Sequence, residues 1–185
     1  GLLRSNKRTL HSALYKIVTQ DDELGNTFTS AELALHAEHA QLREEAIRHY
    51  IDAARSASTQ SALKEARTLL ARARQLTSKL KDKTLAGTLE LEIVKLLGPV
   101  VATLDGTGSE EASKLYQRGV ELLHEHPETD RSTGFPLYWG WWFTAPDFQA
   151  QRERAELLLA DLAGSNNQEV ELQALHCRWA TAFNT

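Results

Sequence analysis

The chain has 185 residues, of which 42% are hydrophobic and 25% are charged, and its formal net charge is −4. A single cysteine, Cys177, excludes an internal disulfide framework and leaves too few thiols for a zinc–thiolate site. No apolar run reaches the roughly 18 residues that a membrane-spanning helix needs. We therefore expect a cytoplasmic, mostly helical chain with no membrane contact.

The N-terminal segment is predicted to form a helix that ends in an acidic loop at residues 21–26. Four basic residues and no acidic ones lie in the first 20 positions. A short helix is expected to follow from Thr29, because Thr29 and Glu32 have the spacing of a capping box, in which each residue satisfies a backbone donor of the other. Thr107 with Glu110, and Asn166 with Glu169, have the same spacing and predict two further helix starts. The apolar stripe of the first helix is Leu10, Ala13, Leu14, Ile17 and Val18.

Residues 46–80 carry the clearest pattern, two amphipathic helices joined by a short polar turn. Small and apolar residues recur at helical spacing on both sides of the turn, which Ser56 to Ser61 supply. Such a helix pair cannot bury its apolar face alone and implies stacked neighbours. The predicted packing residues are Ile47, Tyr50, Ala53, Ala54 and Ala57 in the first helix, and Leu63, Ala66, Leu70, Ala73 and Leu76 in the second.

Further helices are predicted along the rest of the chain. One spans about residues 84–104, is apolar nearly all round, and should bend or divide at Pro99, which lacks an amide hydrogen. The next spans about residues 109–124 and is followed by an aromatic segment at 135–143. Two more helices are expected to pack through Phe148, Ala155, Leu158, Leu159 and Leu162, and through Val170, Leu172, Leu175, Trp179 and Phe183.

The aromatic segment is expected to form one helix with a buried face. Phe135, Tyr138, Trp139 and Trp142 fall at spacings of three, one and three, and so share a face. The prediction is that Trp139 and Trp142 are buried against the helices that contain Tyr116 and Ala155. Gly140 would let a neighbouring helix approach, and Trp141 would stay partly exposed toward a partner.

Together these elements predict an all-α fold, a tetratricopeptide-like array of antiparallel helix pairs (an α-α superhelix) with about nine helices stacked in sequence order as a right-handed array. The repeats are degenerate, because the equivalent small residues Ala66 and Ala112 lie 112 − 66 = 46 positions apart, against about 34 in a regular tetratricopeptide unit.

The sequence indicates no catalytic, cofactor or metal site. His36 and His39 share a helix face one turn after Glu32, but no third histidine or cysteine follows at a recurring metal-ligand spacing. His124 and His126 likewise flank a helix end without a third ligand. The basic residues between Lys64 and Lys83 lack interleaved aromatics, so a solvated helix face explains them better than nucleic-acid binding.

Several segments carry a family resemblance. The opening LLRSNKRTLHSAL, then LALHAEHA (33–40), EEAIRHYIDAARSA (44–57), KLLGPVVAT (95–103), YQRGVELL (116–123) and the Trp139–Trp142 segment resemble the tetratricopeptide-like region of large bacterial signalling ATPases of the STAND and AAA-like type. Many of these ATPases also carry a class III adenylate or guanylate cyclase domain. Where the family commonly has His-His-Tyr, this chain has His36 followed by Ala37, and its turn after Trp142 is shorter.

The resemblance implies that residues 1–26 join the repeats to an upstream ATPase or winged-helix region, and that residues 27–185 form a repeat domain truncated at its C-terminal end. Two functions follow as expectations. The first is a non-catalytic interaction and regulatory scaffold for a protein or peptide partner or for other domains of the same polypeptide. The alternative is a small-molecule sensor with an aromatic-lined pocket that controls the same upstream enzyme. Neither needs a cofactor, and the candidate partner-contacting residues are Trp141, Tyr138, His36 and His39.

Overall fold

A computed structural model describes residues 2–25, 27–126, 131–163 and 167–183. Within these ranges the chain has ten α-helices, one 3-10 turn and no β-strand, which confirms the predicted all-α class. One more helix is present than predicted, because the acidic loop contains the single turn α2. The helices are α1 Leu2–Gln20, α2 Asp22–Gly25, α3 Ser30–His39, α4 Arg43–Thr59, α5 Leu63–Thr77, α6 Lys83–Asp105, α7 Glu110–Glu125, α8 Phe135–Phe143, α9 Phe148–Leu162 and α10 Gln168–Phe183, and the 3-10 turn is Arg131–Gly134.

The chain forms two compact units, Gly1–Ile93 and Val94–Thr185, and the division between them falls within α6. In the first unit α1 packs on α3, α3 on α4 and α4 on α5. In the second unit α7 packs on α8, α8 on α9 and α9 on α10. Helices that are neighbours in sequence are therefore neighbours in space, as a helix-pair array requires. The handedness of the array and the predicted division at residue 26 stay predictions.

Two turns of the first unit have the same backbone geometry. Gln41 after α3 and Ser61 after α4 adopt left-handed conformations, with φ of 65° and 61°. In the first turn the Leu42 amide donates to the Ala37 carbonyl over 2.9 Å, and the equivalent bond after α4 spans 2.8 Å. Both are Schellman-type helix ends, which satisfy carbonyls left open by the last helical turn. The chain therefore leaves α3 and α4 through turns of the same type.

Two polar contacts in the first unit join helices that are not consecutive in the chain. Tyr15 Oη of α1 and His49 Nε2 of α4 lie 2.9 Å apart, and Arg72 Nε of α5 donates to Glu38 Oε2 of α3 over 2.9 Å. The repeat spacing of 46 predicted from Ala66 and Ala112 stays a prediction.

Glu38 joins three helices of the first unit. Tyr50 Oη on α4 donates to Glu38 Oε2 over 2.8 Å, and Arg72 on α5 binds both carboxylate oxygens. Partial burial by itself would raise the pKa of the Glu38 carboxyl. The hydrogen bonds from Arg72 and Tyr50 together have the larger effect in the opposite direction, so the pKa of Glu38 lies below its usual value. Burial and the bond to Glu38 raise the pKa of Tyr50 to about 12. This network therefore links α3, α4 and α5 through side chains.

Most packing predictions for α4 to α7 are confirmed. The predicted residues of α4 and all those predicted for α5 except Leu63 are buried. Helix α6 runs through Pro99 without a break. The Thr29–Glu32 capping box is present. Its predicted counterpart at Thr107 is absent, because Ser109 Oγ caps α7 instead.

Several other predicted packing residues are exposed. In α1, Leu10 and Ile17 face solvent while Val18 is buried. In α9, Phe148 is exposed, because it begins the helix beyond the part of α9 that packs through Ala155 and Leu158. The predicted cap at Asn166 lies outside the described residues.

Candidate functional site

The predicted site residues His36 and His39 lie beside a third histidine, His11 of α1. His11 Nδ1 and His36 Nδ1 are 2.8 Å apart, and the rings of His11 and His39 have centroids 4.6 Å apart. Phe28 packs edge-on against His36 at 6.1 Å. Sequence reasoning found the pair on α3 but missed His11, because no spacing rule joins two residues on helices that meet only in the folded chain.

This histidine cluster (His11, His36 and His39) is not arranged as a metal site. The planes of the His11 and His39 rings are tilted by 36°. Glu32, the carboxylate one turn before His36, accepts the backbone and hydroxyl hydrogens of Thr29 as part of the capping box. Within the described ranges, no group of three His, Cys, Asp or Glu side chains is placed to hold a metal ion.

Protonation of His11 is disfavoured within the histidine cluster. Partial burial lowers the pKa of His11, and the charges of His39, His36 and Lys7 lower it further. At 2.8 Å, one of the two facing nitrogens must donate and the other accept, so at least one of His11 and His36 is neutral.

Tyr138, another predicted contact residue, lies in the core of the second unit. Its side chain is fully buried and its hydroxyl donates to Asp161 Oδ2 over 3.1 Å. His124 Nε2 lies 2.6 Å from the same oxygen. Asp161 thus joins side chains from α7, α8 and α9. The Tyr138 side chain therefore stabilises the fold and has no surface exposed to a partner.

Trp141 is partly exposed, as predicted, but its ring face is covered. The guanidinium carbon of Arg154 lies 5.0 Å from the Trp141 ring centroid, a cation–π geometry, and Arg154 also donates to the Trp141 carbonyl. The Trp141 indole Nε1 is buried and has no hydrogen-bond partner among the residues that the structure describes. A partner that contacts the Trp141 ring face would have to displace Arg154.

The prediction that Trp139 is buried is wrong. Trp139 is 39% exposed and stacks on Phe143, which is 42% exposed, with ring centroids 4.8 Å apart and planes 12° apart. Trp142 is buried as predicted, and its Nε1 donates to Thr181 Oγ1 over 3.0 Å. The buried face of α8 is therefore not the predicted one. Tyr116 of α7 packs against Gly140, so the side of α8 that carries Gly140 faces the core.

The second unit also exposes apolar side chains on α10. A groove of about 480 Å³ lies between α9 and α10. Of the predicted packing residues, Val170 is buried as predicted, whereas Leu172, Leu175 and Trp179 are exposed. Ala174, Cys177 and Thr181 are buried on the same side as Val170. These two sets occur at spacings of three and four, so a second apolar stripe was visible in the sequence. The groove is lined by Arg152, Ala155, Glu156, Leu175, Arg178, Trp179, Thr181 and Ala182.

The chain is 37% identical over 184 residues to an uncharacterized protein of Rhizobium meliloti (strain 1021); the match covers all of this chain and 18% of that protein. The chain thus spans about a fifth of the length of the relative that it matches. No family model and no solved structure matches it. None of the helices that the structure describes is both long and apolar enough to cross a membrane.

Proposed function

We propose that this chain is a non-catalytic interaction and regulatory scaffold within a longer signalling protein. It would bind a protein or peptide partner, or another domain of the same polypeptide, and pass that event to an enzymatic region elsewhere. By the family resemblance given above, that region would be an ATPase, in some relatives joined to an adenylate or guanylate cyclase. The match to a segment of a much longer protein supports a modular role.

The exposed stack of Trp139 and Phe143 carries this proposal. Both rings lie on the outer side of α8, while Tyr138 and Trp142 of the same helix hold it to its neighbours. The stack therefore lies on a helix whose other side is packed against neighbouring helices. Rigid, partly exposed aromatic side chains are enriched where proteins bind each other, since they bury a large area at little cost in conformational entropy.

The small-molecule sensor is less well supported by the same residues. A sensor pocket needs aromatic rings that enclose a cavity and a few polar groups that orient a ligand. Trp139 and Phe143 stack on each other and face outward, and Trp142 is already satisfied by Thr181.

Photo-crosslinking within the full natural polypeptide tests the proposal. A benzophenone side chain replaces Phe143, and in the control it replaces Gln117, an exposed polar residue of α7. We expect a protein-sized cross-link at position 143, little at position 117, and a loss of the cross-link at 143 when Trp139→Ser is added. Equal cross-linking at both positions would contradict the proposed interaction surface. Attachment of a small molecule at 143 would instead favour the sensor.

A further inference from the structure

Imidazole rings form part of the contact between α1 and α3. The His11 ring has its centroid 4.9 Å from that of His36 and 4.6 Å from that of His39, and the Nδ1 atoms of His11 and His36 are 2.8 Å apart. Among residues 6–20 of α1, only Val18 is buried. Over its first turns, α1 therefore contacts α3 through groups that change charge near neutral pH.

The contact between His11 and His36 requires that one of the two rings be neutral, because one nitrogen must donate and the other accept. When both rings are protonated, every ring nitrogen carries a hydrogen and the two facing nitrogens are both donors. The two unit charges then also lie about 5 Å apart and repel each other. Protonation therefore removes an attraction and adds a repulsion at the same place.

The groups around the histidine cluster do not offset this added charge. Lys7, one turn before the histidine of α1, adds a further positive charge. On α3, Glu32 interacts with His36, but its carboxylate already closes the capping box at the start of the helix. Glu38 interacts with His39, but it is already bound by side chains of α4 and α5. Helix α2 also packs on α1, and none of its described charges is among those that act on the α1 histidine.

The later part of α1 has a contact that tolerates protonation. Tyr15 Oη and His49 Nε2 of α4 lie 2.9 Å apart. A neutral His49 can accept the hydroxyl hydrogen, and a protonated His49 can donate to the hydroxyl oxygen, so the contact persists in both states. Glu45 and Asp52 of α4 favour the charged form of His49, although burial outweighs them. Together with the burial of Val18, this contact holds the later part of α1 at low pH.

We propose that protonation of the histidine cluster releases residues 8–14 of α1 from α3, while Tyr15 and Val18 keep the rest of the helix in place. Partial burial and the neighbouring positive charges lower the pKa of His11 from its usual 6.5. The contact is therefore complete above pH 6.5 and weakens as the pH falls below that value. This pH-controlled step goes beyond the scaffold function proposed above and does not depend on it.

Amide hydrogen exchange of the whole chain, followed by NMR at about pH 7.5 and pH 5.0, tests the proposal. After correction for intrinsic exchange rates, the opening constant of amides 8–14 should rise about fourfold to twentyfold at the lower pH. This is the range for repulsion by one or two unit charges about 5 Å away in water. Added salt should reduce the rise. Amides 47–51 of α4, as an internal reference, should open with a much smaller constant at both pH values.

Two variants at the exposed His39 separate charge from shape. His39→Lys keeps a positive charge beside His11 and should retain the rise in opening. His39→Glu replaces a repulsive neighbour by an attractive one, and the rise should shrink to less than about twofold. His176→Gln, at an exposed histidine of α10, is the control and should behave as the unmodified chain. Circular dichroism checks that all three variants fold.

Three results would overturn the proposal. The first is an opening constant for amides 8–14 that does not rise between the two pH values. The second is an opening constant equal to that of the α4 amides, because α1 would then leave α3 only when the whole unit unfolds. The third is an equal rise in the His39→Lys and His39→Glu variants, which would exclude charge repulsion as its cause.

Discussion

The ring of Tyr116 lies against two glycines, Gly98 and Gly140, on two other helices. Replacing Gly140 by alanine adds one methyl group and tests how tightly the ring is packed. A Cβ atom built on Gly98 of α6 would lie 2.8, 3.1 and 3.2 Å from three atoms of the Tyr116 ring. A Cβ atom on Gly140 of α8 would overlap the same three ring atoms more severely. The Tyr116 ring thus lies close to both Gly98 and Gly140. We therefore expect Gly140→Ala to destabilise the chain.

Two opposing effects determine the size of the loss. Alanine is favoured over glycine inside a helix by up to about 1 kcal/mol. Tyr116 is a buried core residue. Overpacking of a filled core costs about 1 to 3 kcal/mol. With the full helix gain subtracted, the expected net loss in the free energy of unfolding is up to about 2 kcal/mol. For a chain of this length that corresponds to a fall in melting temperature of up to roughly 8 °C.

Thermal and urea unfolding, followed by circular dichroism, measure this loss. Gly108→Ala is the matched control, because nothing lies within 4 Å of a Cβ atom at Gly108, and it should change stability by less than about 0.5 kcal/mol. A double-mutant cycle with Tyr116→Leu assigns the cause. With the smaller side chain, Gly140→Ala should become neutral or stabilising, giving a coupling energy above about 0.5 kcal/mol. A stabilising Gly140→Ala with Tyr116 present, or strictly additive effects, would refute the steric argument.

Four further predictions concern other sites. Trp142→Phe should cost about 1 to 3 kcal/mol in urea unfolding, through loss of a buried hydrogen bond and part of a buried ring, whereas Trp139→Phe should cost less than about 0.5 kcal/mol; equal losses would contradict the burial of α8. Since the pKa of His11 lies below 6.5 in the folded chain, the unfolded chain binds more protons just below that pH, and the unfolding free energy should fall as pH drops from 6.5. His11→Gln should reduce that fall, and an unchanged pH profile would exclude His11 as its source. Ser61→Gly should stabilise the chain by roughly 0.5 to 1 kcal/mol, because glycine adopts φ of 61° without strain, and a loss of stability would argue against this turn geometry. Burial raises the pKa of Cys177 to about 11, so a thiol reagent at pH 8 should react with it only after denaturation, and rapid reaction in the native state would show that the thiol is accessible.

The sequence by itself determined the elements whose signal is local. Helical periodicity with a single apolar stripe placed the packing residues of α4 and α5, and the stripe of α7 from Ala112 to Leu123 is buried in full. The Thr29–Glu32 cap was correctly predicted for the same reason, because a capping box is complete within four residues. In these segments one face is clearly apolar, so the direction of the core follows from the pattern.

Only the tertiary structure decided which side faces inward where a helix is apolar on more than one side. In α8 nearly every residue is aromatic or aliphatic, so composition gives no direction, and the contact of Gly140 with Tyr116 sets the orientation that leaves Trp139 exposed. In α10 two stripes compete, and the one with small residues, Ala174 and Cys177, faces α9 because it permits close approach. The histidine cluster depends on the packing of α1 against α3, and a contact between residues 25 positions apart leaves no periodic trace in the sequence.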